Sequence, residues 1–159
     1  MKQARDERML FCPDCGLTKY PMISPAVIVG VTHGDKLLMS KYAGRTNAKF
    51  ALIAGFNEIG ETIEETVHRE VKEEVGIRIK HLKYYKSQPW PFSSSLLMGF
   101  FCELDGSDEL TVDHNELAEA GWYSSEEVPE DTDGISLTAE MMTVFKQRLQ
   151  LRKNGKTST

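Results

Sequence analysis

The sequence has little of what would mark a disulfide-stapled, membrane-spanning or nucleic-acid-coating protein. Its three cysteines cannot all pair, and reduced thiols fit a cytosolic compartment. No apolar run approaches the roughly 18 residues of a membrane span, and no charged-then-apolar leader opens the chain. The expectation is a soluble, cytoplasmic protein with no membrane partner. Positive charge is scarce as well: 19 Lys and Arg against 24 Asp and Glu leave a net charge of −5. That balance argues against tight nonspecific binding to nucleic acid, yet it does not exclude a nucleotide whose phosphates a metal ion carries. No internal repeat is evident, and 159 residues suit one domain with a sizeable core.

What is abundant is acid, and it is concentrated between Gly55 and Ile77, GFNEIGETIEETVHREVKEEVGI. Ile63, Val67, Val71 and Val75 recur every four residues, so Glu61 to Val75 reads as an amphipathic helix seated on a core. Glu70, Glu73 and Glu74 then share an arc of about 100° beside the apolar stripe. Carboxylates at such spacing destabilise a helix unless positive charge lies between them. Hard oxygen ligands select Mg²⁺ or Mn²⁺, ions that keep waters and bind substrate phosphates. A bare acidic helix with Arg69 and Lys72 as partners would read as a solvated face. Here a glycine-bearing loop precedes it.

Along the rest of the chain, residues 1–9 read as a frayed helix or tail. Cys12 and Cys15 form a CxxCG turn of the kind that presents two thiolates to zinc. No second CxxC follows, and His33, His68, His81 and His114 are scattered, so Zn²⁺ and two free cysteines remain competing readings. Pro25 to Val31 reads as a buried strand, turned at His33-Gly34-Asp35 into Lys36 to Tyr42. A polar loop over 43–49 leads to a short strand, Phe50 to Ile53, which delivers Ala54 and Gly55. After a helix stop at Gly76, Ile77 to Lys86 predicts a strand and Ser87 to Ser95 a stiff loop bearing Trp90 and Phe92, which serves either as an aromatic binding surface or as a core-covering turn. Leu96 to Leu104 and Ala120 to Tyr123 complete the strands. Ser124 to Pro129 looks like a capped helical turn and Ser136 to Arg152 like a helix, with the residues after it disordered. The sum is an α/β (α+β) domain, a mixed sheet between helices.

The stretch from Gly55 resembles the Nudix box: G, five residues, E, seven residues, R-E, an aliphatic, one residue, E-E, one residue, G, an aliphatic. Gly55, Glu61, Arg69, Glu70, Val71, Glu73, Glu74, Gly76 and Ile77 fill every fixed position. SQPWPF and CPDCGLTKYPMISPAVIV further resemble the NADH pyrophosphatase branch, the latter as the second half of a zinc ribbon running into a first catalytic strand. The usual proline after Trp-Pro-Phe is Ser93 here. Members of this branch usually carry a further N-terminal domain and a four-cysteine ribbon, so the resemblance implies a short form. It would comprise an N-terminal segment with a partial ribbon over 1–22, a Nudix hydrolase domain over 23–152 and a tail over 153–159.

The resemblance implies hydrolysis of the diphosphate of NADH or NAD⁺ to nicotinamide mononucleotide and AMP; some members also remove NAD caps from RNA. It implies Glu70, Glu73, Glu74, Glu116 and the Ala54 carbonyl around a catalytic metal, Glu73 helping to position or deprotonate water, and Arg69 orienting the glutamates. Gln88, Pro89, Trp90, Pro91, Phe92, Ser93, Ser94 and Ser95 would line the dinucleotide pocket, with Tyr20, Phe56 and Ala139 as further contacts. A homodimer is expected on the same ground. ADP-ribose or another nucleoside diphosphate derivative is the alternative substrate, and a noncatalytic nucleotide sensor the alternative class.

Overall fold

The computed structural model describes residues 1–44, 49–130 and 134–155, the last three of these in backbone only. Most of the polar loop expected over 43–49, and residues 156–159 of the expected tail, lie outside that set.

The chain opens with three two-residue strands, β1 (Lys2–Gln3), β2 (Leu10–Phe11) and β3 (Thr18–Lys19), in a small antiparallel sheet. Residues 1–9 are thus neither a helix nor a tail: Lys2 pairs with Phe11 and Gln3 with Leu10, and the Ala4 N–H donates to the Met9 carbonyl (3.0 Å). The Cys12–Gly16 turn closes the second hairpin, with Gly16 at φ +72°.

The main sheet has β4 (Ser24–His33), β5 (Lys36–Tyr42), β6 (Ile53–Phe56), then helix α1 (Ile63–Val75), β7 (Ile79–Trp90), β8 (Ser95–Leu104), β9 (Leu117–Ser124) and helix α2 (Leu137–Gly155). Strand order is β7-β8-β4-β5-β9, with β6 also on β4. The central pair β4 and β8 is parallel and the other pairings are antiparallel, so the sheet is mixed, as expected.

Alternation along β4 divides the core. Val27, Val29 and Val31 face α1 and meet Val67, Val71 and Val75, while Ile28 faces α2 with Met141, Phe145 and Leu149. Each buried aliphatic side chain contributes roughly 1.5–3 kcal/mol. Helix α1 is closed at both ends. Thr62 accepts from the Glu65 N–H (3.2 Å) while the Glu65 carboxylate accepts from the Thr62 N–H (2.8 Å), and Gly76 ends it at φ +76°.

Several boundaries moved. The short strand is Ile53–Phe56 rather than Phe50 to Ile53, so Ala54 and Gly55 lie within it. Strand β7 runs to Trp90 through most of the expected loop, with Lys86 opposite Gly99 and Trp90 opposite Ser95. Pro89 is tolerated because β7 is the sheet edge, where half the N–H groups have no ladder partner. Only Pro91–Ser93, a single 3₁₀ turn, and Ser94 at φ +52° remain as the connection. Ser124 and Glu127 exchange hydrogen bonds in a turn that does not become a helix. Helix α2 continues to Gly155, past the expected boundary at Arg152.

Candidate active site

The box residues converge where α1 crosses β6. Gly55 faces α1, and a Cβ there would collide with the Glu70 carboxylate, which rests on the strand backbone. The glycine is required for that close approach rather than for turn geometry. Arg69 distributes its guanidinium among four groups: Nε and Nη2 donate to the two Glu61 oxygens (2.6 and 3.0 Å), Nη1 to Glu70 Oε1 (2.7 Å) and Glu73 Oε2 (3.0 Å), and Nη2 also to the Phe56 carbonyl (2.9 Å). This fork geometry suits arginine and no other side chain. The Arg69 guanidinium, with Thr66 and the Glu58 N–H assisting, holds the Glu61 carboxyl down at about 2. Arg69 itself is raised, chiefly by Glu61.

The three helix glutamates differ in burial. Glu73 keeps 60% of its side chain in solvent, Glu70 is 8% exposed and Glu74 is 2% exposed. Burial raises Glu70 despite Arg69, and it pushes Glu74 up to about 8, with Glu70, Glu116 and Asp113 adding repulsion. Both Glu74 oxygens are buried without a hydrogen-bond partner; the nearby Ala54 backbone opposes the shift without making a full hydrogen bond. An orphaned buried carboxylate of this kind is costly unless a cation completes it.

Sequence reasoning missed Asp113. Its Oδ1 accepts from the Asn115 N–H (2.9 Å) and side-chain amide (2.8 Å), and its own N–H donates to the Glu74 carbonyl (2.9 Å). The Asx turn it forms sets the backbone that carries Glu116, and an Asp two residues before Asn in DHNE was the available signal. Glu116 itself is exposed, so among the described residues no three His, Cys, Asp or Glu side chains are gathered closely enough to cage a metal ion as they stand. The donor set of buried carboxylate oxygens, with Gly55 leaving room beside them, nevertheless fits a hard divalent cation.

The expected pocket residues fall elsewhere. Phe56, Ala26, Leu97 and Gln88 stand side by side across β6, β4, β8 and β7, on the α2 face of the sheet. There Gln88 ties down the start of α2, accepting from the Leu137 N–H (2.8 Å) and donating to the Ile135 carbonyl (2.7 Å), beside Ala139, whose N–H is capped by Ser136 (3.1 Å). Strand β6 therefore separates two groups: Gly55 and Glu70 on the α1 face, Phe56, Gln88 and Ala139 on the other.

Trp90 and Phe92 meet edge to face at 5.1 Å, with Phe92 82% exposed; Pro89, Pro91 and Ser93 are exposed, and Ser95 is buried against Ser93 (Oγ to Oγ 2.9 Å). Tyr20 donates to Glu7 (2.9 Å) and, with Met22, Ser24 and Ser94, lines a groove of about 620 Å³. Cys12 and Cys15 are drawn together, and the N–H groups of Cys15 and Asp14, with the Cys15 thiol, lower the Cys12 thiol. No further ligand joins them among the described residues. No helix of the described residues is long and apolar enough to cross a membrane.

Comparison with known proteins agrees with this architecture. The chain is 42% identical over 129 residues to the NAD-capped RNA hydrolase NudC of Citrobacter koseri, a match covering 81% of this chain and 50% of that protein. It is 41% identical over 129 residues to the protein of the same name from Escherichia coli O157:H7, with the same coverage. The chain thus spans about half the length of the curated relatives it matches. Among solved structures, a NUDIX hydrolase from Nitrosomonas europaea superposes with a TM-score of 0.75 at 24% identity, covering 88% of this chain and 80% of that one. An ADP-ribose pyrophosphatase from Streptococcus suis superposes at 0.58 with 19% identity, covering 80% and 92%. These two are likenesses of fold. The NUDIX domain model matches residues 22–144, and the chain belongs to that family.

Proposed function

We propose that this chain is a divalent-cation-dependent Nudix pyrophosphohydrolase acting on the diphosphate of NADH or NAD⁺, either free or as the cap of an RNA. The observation that carries the reading is Glu74, a carboxylate buried without a partner beside Glu70, Glu116 and Asp113. Such a group costs stability unless it meets a cation, and a phosphate-binding cation is what this chemistry needs. The names of the relatives, of whose length this chain spans about half, support the dinucleotide as substrate.

Glu70, Glu74 and Glu116, with the Ala54 carbonyl, would hold Mg²⁺ or Mn²⁺, and closing that set requires the exposed Glu116 side chain to turn inward. When bound, the ion supplies charge neutralisation for the diphosphate oxygens and a lowered pKa for water. The protein's own part is positional. Arg69 holds Glu70 and Glu73 at fixed angles to the helix, and Glu73, open to solvent, takes the proton of the attacking water. Oxygen from that water joins one phosphorus, and the bridging oxygen leaves with the other. Phe56 and Trp90 offer ring faces for the nicotinamide or adenine.

Exposed Leu17, Met22, Ile23 and Phe92 support the expected homodimer, in which a second copy could bring two more thiols to Cys12 and Cys15 for a Zn²⁺ site. The deciding experiment is hydrolysis of NADH, NAD⁺ and ADP-ribose side by side with Mg²⁺ or Mn²⁺, following AMP by chromatography. Preference for NADH or NAD⁺ supports the reading. Preference for ADP-ribose overturns the substrate, and absence of turnover with all three overturns the activity.

A further inference from the structure

Four basic side chains are held in ion pairs with carboxylates: Lys41 with Glu119 (2.7 Å), Lys86 with Glu140 (2.7 Å), Lys80 with Asp105 (3.4 Å) and Arg69 with three glutamates. A groove of about 430 Å³ between β7, β8 and the C-terminal half of α2 is different. Lys83, Arg148 and Arg152 line it, and none of the three has a carboxylate within ion-pair distance among the described residues. Lys83 stands opposite Phe101, on the α2 face. The Arg148 guanidinium sits over Phe101 on the groove floor, 4.7 Å from the ring centroid. Arg148 and Arg152 are one helical turn apart, a rise of about 6 Å. The one acidic lining residue, Glu103, hydrogen-bonds His81 Nδ1 (3.1 Å), and that bond, with the charges of Lys80 and Lys83, holds its carboxyl below the ordinary value.

On a chain of net charge −5, this groove is a local concentration of positive field: Lys80, Lys83, Arg148 and Arg152 line it with one carboxylate, Glu103, among them. Its phenylalanine rings, Phe101 and Phe145, are buried, and the rings it leaves exposed are the His33 and His81 imidazoles. Cations spaced along a groove suit successive phosphates of a strand better than one compact diphosphate.

We propose that this groove binds the phosphodiester backbone of single-stranded RNA, independently of base sequence. On the reading of function given above, the bound strand is the RNA behind the cap; binding of an uncapped strand does not depend on that reading.

The test uses a fluorescein-labelled, uncapped 12-nucleotide RNA and anisotropy, comparing the whole protein with the triple variant Lys83→Gln, Arg148→Gln, Arg152→Gln. The expected result is a loss of affinity of roughly tenfold or more at low salt, and a salt slope shallower by about 2, from about 0.7 per phosphate contact. Because Arg148 also packs on Phe101, Arg152→Gln alone provides a variant that leaves the floor intact, with an expected threefold loss or so. NADH hydrolysis stays at the parent rate in both. Parent-like RNA binding by the triple variant overturns the proposal, as does full displacement of the RNA by inorganic phosphate at equal phosphate concentration, which marks a simple anion site. If NADH is not hydrolysed while the RNA still binds through these residues, the reading of activity fails and the groove stands.

Discussion

Arg69 and Arg148 sit on opposite faces of one sheet and are used in opposite ways. Arg69 is surrounded by three carboxylates and a carbonyl, and its donors are committed to holding Glu61, Glu70 and Glu73 in place. Arg148 rests on a phenylalanine ring, and no carboxylate lies within ion-pair distance of it among the described residues. The α1 face uses Arg69 for internal geometry, whereas on the α2 face Lys86 is paired with Glu140 while Arg148, among the described residues, has no such partner. A paired cation fixes a site; an unpaired one advertises it.

The most severe way to break this contrast is at Glu74. Glu74→Gln removes the buried acid, and we expect kcat for dinucleotide hydrolysis to fall by about 10³-fold or more, on the scale of lost electrostatic stabilisation. The same substitution should stabilise the metal-free protein at neutral pH. Folded Glu74 holds its proton to about 8, while the unfolded chain releases it near the ordinary value of 4.5. Between those values the unfolded state binds fewer protons, so stability falls as pH rises, on the order of a few kcal/mol in total. Thermal unfolding of the metal-free protein against pH should show that decline in the parent and not in the variant. Added Mg²⁺ or Mn²⁺ should restore the parent.

Gly55→Ala tests whether the glycine makes room for Glu70. The added methyl displaces the carboxylate from its seat on β6. We expect a loss of rate of about 10²-fold, from misplacement of that carboxylate by an ångström or so, with about 1–3 kcal/mol of stability lost to overpacking.

Arg69→Ala should cost about 1.5–3 kcal/mol, read by urea unfolding, because Glu70 loses its charged partner in a buried setting. Acid resistance supplies a second readout. Glu61, held near 2, contributes stability above its unfolded value that is lost as pH falls through 4.5 toward 2. The variant should lose this part of its acid profile.

The smallest effect belongs to the other face. Gln88→Ala frees the Leu137 N–H at the first turn of α2 and should lower stability by about 1 kcal/mol. If Gln88 also contacts the dinucleotide, KM rises with kcat little changed, and an unchanged KM would leave it a structural tie.

Much of the α1 face was legible in the sequence because its signals are local. Valines at four-residue spacing, Gly76 in the left-handed region and the run of fixed box residues all act within a few turns of one another. The division of the site by β6 was not legible, since it depends on the pleat: Gly55 faces one helix and Phe56 the other. The extension of β7 through Ser87 to Trp90 was hidden by Pro89, which breaks a central strand and not an edge one. Which strand is the edge is set by the pairing of β8 with β4, some 70 residues apart in sequence (Ser24 with Ser95). The difference between Glu73 and Glu74 was equally hidden, because adjacent residues on a helix can differ from 60% to 2% exposed only once something packs on one of them.

The loop before β9 donates its Thr111 and Asp113 N–H groups to the Val75 and Glu74 carbonyls, the last of α1, and Thr111 packs against Gly76 where a side chain would not fit. The end of the helix and the loop that carries Glu116 are therefore expected to open as one unit in the native ensemble. Amide exchange at Thr111 and Asp113 should follow the same opening free energy as the final turn of α1. Two acids far apart along the chain thus share one clock: their mutual placement lasts as long as two backbone hydrogen bonds stay closed.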